Sequence, residues 1–383
     1  MDREPFFNQE HQQLASTLKR FVEHEVEPRA LEDEPEDDRA RELVQLMANE
    51  GLLRYVVPES YGGVFSRLDS RSLCLIREEL AYASGLADTM FAMQGLGSYP
   101  ITLAGSEALK RQFLPRVASG EAIAAFALTE PEAGSDVAAL QTLAWRDGDH
   151  YELKGVKTFI SNAGLADSYV VFAKTDPDQG HKGISAFVVE PSMAGFVVEK
   201  RLELLAPHPI GVVRFERCRV PRENRLGEEG QGFRIAMQTL DVFRATVAAA
   251  AVGMARRALD EALAYSQRRV QFGRPIAEFQ GIQFKLGEMA TELEAAHLLV
   301  ARAAWKKDQG AERVTRESAM AKLYATEMAQ RIIDEAVQIH GGMGVVRGVV
   351  VERLYREIRA LRIYEGTSEI QKLVIARELL KKG

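Results

Sequence analysis

Hydrophobic positions recur along the chain with two different periods, and the changes of period divide it in three. Leu14, Leu18, Phe21 and Val22 share one helical face, as do Leu43, Leu46 and Met47. Pro28 and Pro35 interrupt between them. The acidic residues in that gap (Glu32, Asp33, Glu34, Glu36, Asp37, Asp38) read as a solvated loop. Pro58, Gly62 and Gly63 mark another break, after which helical spacing runs from about Asp69 to Gly120. Between 123 and about 228 the period shortens. Segments 151–163, 168–176, 183–191, 195–203 and 211–220 are β-rich and separated by Gly, Pro, Asp and Asn turns. No helix-length pattern intervenes, which favours an antiparallel sheet over a parallel α/β arrangement. Helical spacing returns at Gly232. Phe233 to about Gln267 is one Ala-rich stretch without proline, roughly 50 Å long at 1.5 Å per residue. Further helices are predicted over 278–308, 313–339 and 368–381, and long helices with short connections make an antiparallel bundle. The fold class expected is α+β multidomain: a helical domain over 1–122, a β-barrel-like domain over 123–228 and a helical bundle over 229–383.

Composition narrows the function classes. With 46% apolar residues, the 383-residue chain can bury a core, so disorder is not its main theme. A net charge of −6 argues against a protein that coats nucleic acid. No run approaches the ~18 uncharged apolar residues of a membrane span. The start, MDREPFFNQE, carries acids and no apolar stretch, so neither a secretory signal nor a transit peptide is expected and a cytoplasmic location is. Cys74 and Cys218 share no motif, so buried reduced thiols are expected, with no disulfide framework and no metal site.

Several familiar chemistries lack their residues. There is no P-loop, no HExxH and no GxSxG elbow, and neither Gly227–Gly232 nor Gly341–Gly344 follows a strand and opens a βαβ unit. Two polar, Gly-containing segments stand out in apolar surroundings: Thr129–Asp136, after the apolar run Ala122–Leu128, and Tyr364–Glu369, between two helices. Each also reads as a plain turn with a helix cap, and Ser368 with Gln371 fits a capping box. Glu365 follows Leu361, Ile363 and Tyr364 and precedes a glycine, which places its carboxylate in an apolar pocket. Burial there would raise its pKa and suit it to general-base work.

Seven motifs in order together resemble the acyl-CoA dehydrogenase family of flavoproteins. They are PESYGG (58–63), FALTEPEAGSD (126–136), KGVKTFISNA (154–163), RVPRENRLGEEGQGF (219–233), RRVQFGRPIAEFQ (268–280), QIHGGMG (338–344) and YEGTSEIQ (364–371). The resemblance covers residues 8–381 and implies an N-terminal helical domain, a middle antiparallel β domain and a C-terminal four-helix bundle. It further implies non-covalent FAD, an acyl-CoA substrate, an electron-transfer flavoprotein as acceptor, a homotetramer built as a dimer of dimers, and a place in fatty acid or amino acid catabolism. The implied reaction converts an acyl thioester to its trans-2-enoyl form, Glu365 removing the Cα proton while hydride passes from Cβ to flavin N5. The thioester α-proton is a weak acid, so its enolate needs donors at the carbonyl oxygen; in the family these are the backbone N–H of the base and a ribityl hydroxyl.

The implied contacts follow residue by residue. Phe126, Leu128, Thr129, Gly134 and Ser135 match the segment around the flavin ring and ribityl chain, and Phe159, Ile160 and Ser161 the segment at its dimethylbenzene side and N5. Arg269, Gln271, Phe272 and Gln280 match residues that hold diphosphate and adenosine across a subunit interface. Gln338, Gly341 and Gly342 match a loop packed on the dinucleotide, and Thr367 and Glu369 a further contact. Asp241 and Arg244 resemble residues that meet the pantetheine arm, with Ser135 and Gly366 also at the substrate. The family's other position for the base falls on Phe243, which takes no proton. Two departures remain. Phe159 stands where many members carry Trp. Ala206–Gly211, with two prolines, replaces a polar stretch and reads either as a variant surface loop or as a changed carrier or acceptor surface. His208 within it reads as exposed and bland. The alternatives kept are a dehydrogenase or oxidase of carrier-protein-bound acyl groups, and a non-dehydrogenating binding protein on the same fold.

Overall fold

A computed structural model describes residues 5–30 and 35–381. In chain order the described helices are α1 (Gln9–Phe21), α2 (Glu36–Asn49), α3 (Ser70–Ala83), α4 (Gly85–Ala104), α5 (Glu107–Ala118), α6 (Gly232–Arg268), α7 (Gln280–Asp308), α8 (Thr315–His340), α9 (Val350–Leu361) and α10 (Ser368–Leu380). The strands are β1 (Ala124–Ala127), β2 (Leu143–Asp147), β3 (His150–Ser161), β4 (Ser168–Lys174), β5 (Ile184–Val189), β6 (Phe196–Arg201), β7 (Ile210–Pro221), β8 (Arg225–Leu226), β9 (Val270–Gln271) and β10 (Arg274–Pro275). The chain forms two compact units: Met1–Asp33, Ser70–Asp88 and Asp241–Gly383 in one, Glu34–Asp69 and Thr89–Leu240 in the other.

The helical unit is packed through small side chains. Ala248–Ala251 of α6, Met289 and Leu293 of α7, Ala325, Met328 and Ile332 of α8, and Val351, Leu354 and Ile358 of α9 share one buried core. Alanines let helix backbones approach closely. At Gly253 the approach is closest, because a Cβ there would stand 2.0 Å from the Glu78 carbonyl oxygen of α3. By length and composition α6 is apolar enough to cross a membrane, contrary to the expectation that no stretch is, but 78% of its most apolar window is buried. Helix α9 is also absent from the helices expected above. Its twelve residues lie between the Gly341–Gly344 cluster and the Tyr364 turn, and tertiary packing of Val351, Leu354, Ile358 and Leu361 secures it.

The second unit is built on one sheet with strand order β6-β7-β3-β2-β4-β5-β8, while β1 also pairs with β4. Most pairings are antiparallel, as expected, but β1 and β2 each pair with β4 in parallel. β5 is buried along its whole length, whereas the edge strand β6 is mostly exposed. The acidic run read as a loop is only partly one. Glu32, Asp33 and Glu34 lie outside the described residues, and Glu36, Asp37 and Asp38 form the first turn of α2. Carboxylates at a helix N-terminus are favoured by the dipole. Two of them also have partners: Arg201 binds Asp37 at 2.7 Å and Glu36 at 3.4 Å. Both cysteines are buried.

Replacing Gly253 with alanine forces α3 and α6 apart. We expect a loss of about 1–3 kcal/mol, read as a lower melting temperature in thermal denaturation.

Candidate active site

Glu365 sits in the link between α9 and α10. Both Glu365 (φ 52°) and Gly366 (φ 93°) are left-handed. Thr367, not Ser368, caps α10: its hydroxyl accepts from the Ile370 N–H at 3.3 Å. The capping box expected from Ser368 and Gln371 is therefore not formed. Ser368 is buried and donates to Glu327 at 2.5 Å. Gln371 Nε2 instead donates to the carbonyls of Glu365 (3.2 Å) and Gly366 (2.9 Å), and Lys322 Nζ donates to the same Gly366 carbonyl at 2.8 Å. The left-handed φ of Gly366 favours glycine, and a Cβ there would also push the Gln371 amide, 2.6 Å away, off its carbonyls.

The Glu365 side chain is half-buried, and its Oε2 is buried with no hydrogen-bond partner among the described residues. Its backbone N–H donates to no backbone carbonyl among the described residues. Burial raises its pKa, while the Arg77, Lys322 and Arg244 cations pull it down and Asp88 pushes it up. Arg77 and Asp88 are a buried bidentate pair at 2.7 and 2.8 Å, and Arg77 also donates to Thr246 at 2.9 Å. Arg244 is paired to Asp241 at 2.7 Å within α6, and Asp241 accepts from Thr315 of α8 at 2.8 Å. Tyr364 is held above its ordinary pKa by burial.

In the sheet unit, two of the sequence-matched segments lie side by side. The Thr158 N–H donates to the Thr129 carbonyl at 2.9 Å, so Phe126–Thr129 runs beside Phe159–Ser161. The register of β3 against β7 shifts between Lys157 and Ile160. At that irregularity Phe159 adopts φ 54° and its ring turns out, 60% exposed, while Ile160 is buried. Such strained residues cost about 1–3 kcal/mol each and cluster at functional sites. Phe159, Phe272 and Glu365 are three of the five non-glycine residues with positive φ among the described residues. Beneath the segment, Lys157 is fully buried and donates to Glu130 (2.8 Å) and to the Leu128 carbonyl (3.0 Å). Glu130 also accepts the N–H groups of Gln141 and Thr142. Burial opposes its charge, but Lys157 and these donors keep its pKa below the usual carboxylate range.

Most of the remaining matched residues are open to solvent. Gly134 and Ser135 are exposed. In the helical unit Arg269, Gln271, Gln280 and Gln338 are exposed, Phe272 is 94% exposed, and Gly341 and Gly342 have nothing within 4 Å of an added Cβ. Thr367 is half-buried and Glu369 exposed. His208 departs from expectation: it is half-buried, burial pulls its pKa down to about 4, and its Nε2 lies 2.7 Å from Ser161 Oγ. Its N–H donates to Glu36 at 2.8 Å, which ties the Ala206–Gly211 stretch to α2. The sequence did not single out the Lys157–Glu130 pair of the sheet unit, nor Arg77, Asp88 and Lys322 around Glu365 in the helical unit. Lys157 and Glu130 lie inside two of the seven motifs; the other three carry no local signal.

Sequence profiles for the acyl-CoA dehydrogenase N-terminal, middle and C-terminal domains match residues 8–121, 125–218 and 230–380. The chain belongs to the acyl-CoA dehydrogenase family. It is an oxidoreductase with that family's fold. It is 43% identical over 379 residues to the 3-(aryl)acrylate reductase of Clostridium sporogenes, covering 98% of this chain and 100% of that one. It is 41% identical to the caffeyl-CoA reductase–Etf complex subunit CarC of Acetobacterium woodii, covering 98% and 100%. The solved acyl-CoA dehydrogenase of Bacillus anthracis, in complex with FAD, superposes with a TM-score of 0.91 at 37% identity, covering 98% of this chain and 68% of that one.

Lys157→Met leaves the buried Glu130 carboxylate without its cation. We expect about 3–5 kcal/mol of destabilisation, seen as a lower midpoint in denaturant unfolding.

Proposed function

We propose that this acyl-CoA dehydrogenase family member catalyses FAD-dependent α,β-dehydrogenation of an acyl-CoA thioester to the trans-2-enoyl-CoA, with Glu365 as the proton-transfer group. The observation that carries the reading is the Glu365 carboxylate: one oxygen buried without a partner, proton affinity raised by burial, on a left-handed turn whose N–H donates to no backbone carbonyl among the described residues. A carboxylate so placed takes the Cα proton, and its own N–H is free to donate to the thioester oxygen as the enolate forms.

FAD is the cofactor, and the residues present suit it within each unit. In the sheet unit the exposed Phe159 ring and the open backbone at Gly134 offer a face and an approach for a flat ring system. In the helical unit Gly341 and Gly342 leave backbone open to a dinucleotide, with Arg269, Gln271, Phe272, Gln280 and Gln338 exposed for it. When bound, FAD accepts the electron pair that leaves Cβ with its hydrogen. Asp241 and Arg244, held to each other, are proposed to orient the pantetheine arm. An electron-transfer flavoprotein is the proposed redox partner, supported by the Etf-complex relative, and a homotetramer the proposed assembly.

The reductase names of two relatives favour a second reading, with the same groups run in reverse. Glu365 then delivers its proton to Cα of a 2-enoyl thioester, and the raised pKa keeps that proton in place at higher pH. One anaerobic experiment separates the directions. Protein with oxidised flavin is mixed with short, branched, medium-chain and aryl acyl-CoAs, and reduced protein with the matching 2-enoyl-CoAs. Bleaching by a saturated ester supports dehydrogenation; faster reoxidation by an enoyl ester supports reduction; neither would overturn the reading. Glu365→Gln is expected to retain FAD and slow either process by about 10²–10⁴-fold. Because the base works ionised, bleaching should rise with pH, with a midpoint above the ordinary Glu value of about 4.3. Reoxidation should fall with pH through the same group.

A further inference from the structure

Lys322 is fully buried in α8, yet among the described residues no carboxylate forms a salt bridge with it. Its partner is a neutral backbone carbonyl, that of Gly366. Burying an ammonium against a carbonyl is costly, and burial pulls its pKa down to about 8 even though Glu365 opposes that. A stabilising role alone would be better served by an apolar side chain.

The surroundings of Glu365 show what the charge does. From α3 and the start of α4 it faces Arg77 and Asp88, which neutralise each other. From α6 it faces Arg244, whose charge is taken up by Asp241. From α8 it faces Lys322, the one of these three cations without a carboxylate salt bridge among the described residues. Lys322 in turn feels Glu327 and Glu369, more weakly than Glu365, with Arg244 opposing. The same ammonium grips the carbonyl that follows Glu365, so it also restrains the two left-handed residues.

We propose that Lys322 is a positioning residue for proton transfer: it holds the Glu365–Gly366 turn through the Gly366 carbonyl, and its uncompensated charge sets how readily Glu365 binds a proton. The inference rests on Glu365 being the proton-transfer group.

The test uses the full-length, flavin-loaded protein without substrate. Infrared difference titration follows the protonated-carboxyl band that disappears in Glu365→Gln. In Lys322→Gln and Lys322→Met the midpoint of that band should move to higher pH, a rise of about tenfold in proton affinity, the scale of losing one nearby opposite charge. Lys322→Arg keeps the charge and should stay near the parent midpoint. Amide hydrogen exchange over 362–371 should quicken in Lys322→Met, which loses the donor, more than in Lys322→Gln, which keeps one. An unchanged midpoint in folded, flavin-bound Lys322→Gln and Lys322→Met overturns the proposal, as does the absence of any titrating band assignable to Glu365. If Lys322→Met does not fold, Lys322→Gln against Lys322→Arg decides. Flavin bleaching that survives Glu365→Gln would sink the base assignment separately, because the infrared titration does not depend on turnover.

Discussion

The close approach of α6 to α3 at Gly253 is the constraint from which the chemistry of the helical unit follows. Small side chains along α6 let the Glu78 carbonyl occupy the space a Cβ would need. That approach brings Arg77, the residue before Glu78, within hydrogen-bond reach of Thr246 on α6, and Arg77 in turn engages Asp88. The buried pair is one wall of the surroundings of Glu365. A larger residue at 253 would therefore alter the electrostatics of a carboxylate more than a hundred residues away in sequence.

The sheet unit solves a different problem: exposing an aromatic ring from a strand whose neighbours are buried. A register shift in β3 turns Phe159 outward, and the Lys157–Glu130 pair beneath it anchors the Leu128 carbonyl and the backbone at 141–142. Buried ion pairs add little net stability in general but tie distant backbone segments to one geometry. His208 adds a second anchor at Ser161, in a stretch whose two prolines leave few conformations, and Glu36 holds that stretch in place. The Ala206–Gly211 departure from the family pattern is thus tied into the structure at both Ser161 and α2.

Burial outweighs the surrounding cations and raises the proton affinity of Glu365. Under the proposed assignment, microscopic reversibility lets the same residues serve dehydrogenation or reduction, and the relatives include proteins named as reductases and as dehydrogenases.

The sequence by itself determined the alternation of helical and β texture, the long Ala-rich helix, the family, and Glu365 as the residue to watch. These signals are local: period, composition and short motifs carry them within a few turns of chain. It did not reveal α9, whose twelve residues owe their helix to the core they pack on, nor the helical start of α2 within an acidic run. It placed the α10 cap one residue late, because Ser368 and Gln371 have the right spacing but are drawn to Glu327 and to the carbonyls of the turn. Only the tertiary structure decided which charges meet Glu365. Arg77 and Asp88 come from consecutive helices and Arg244 and Lys322 from two others far from them in sequence, and electrostatic interaction depends on distance in space, which no local pattern encodes.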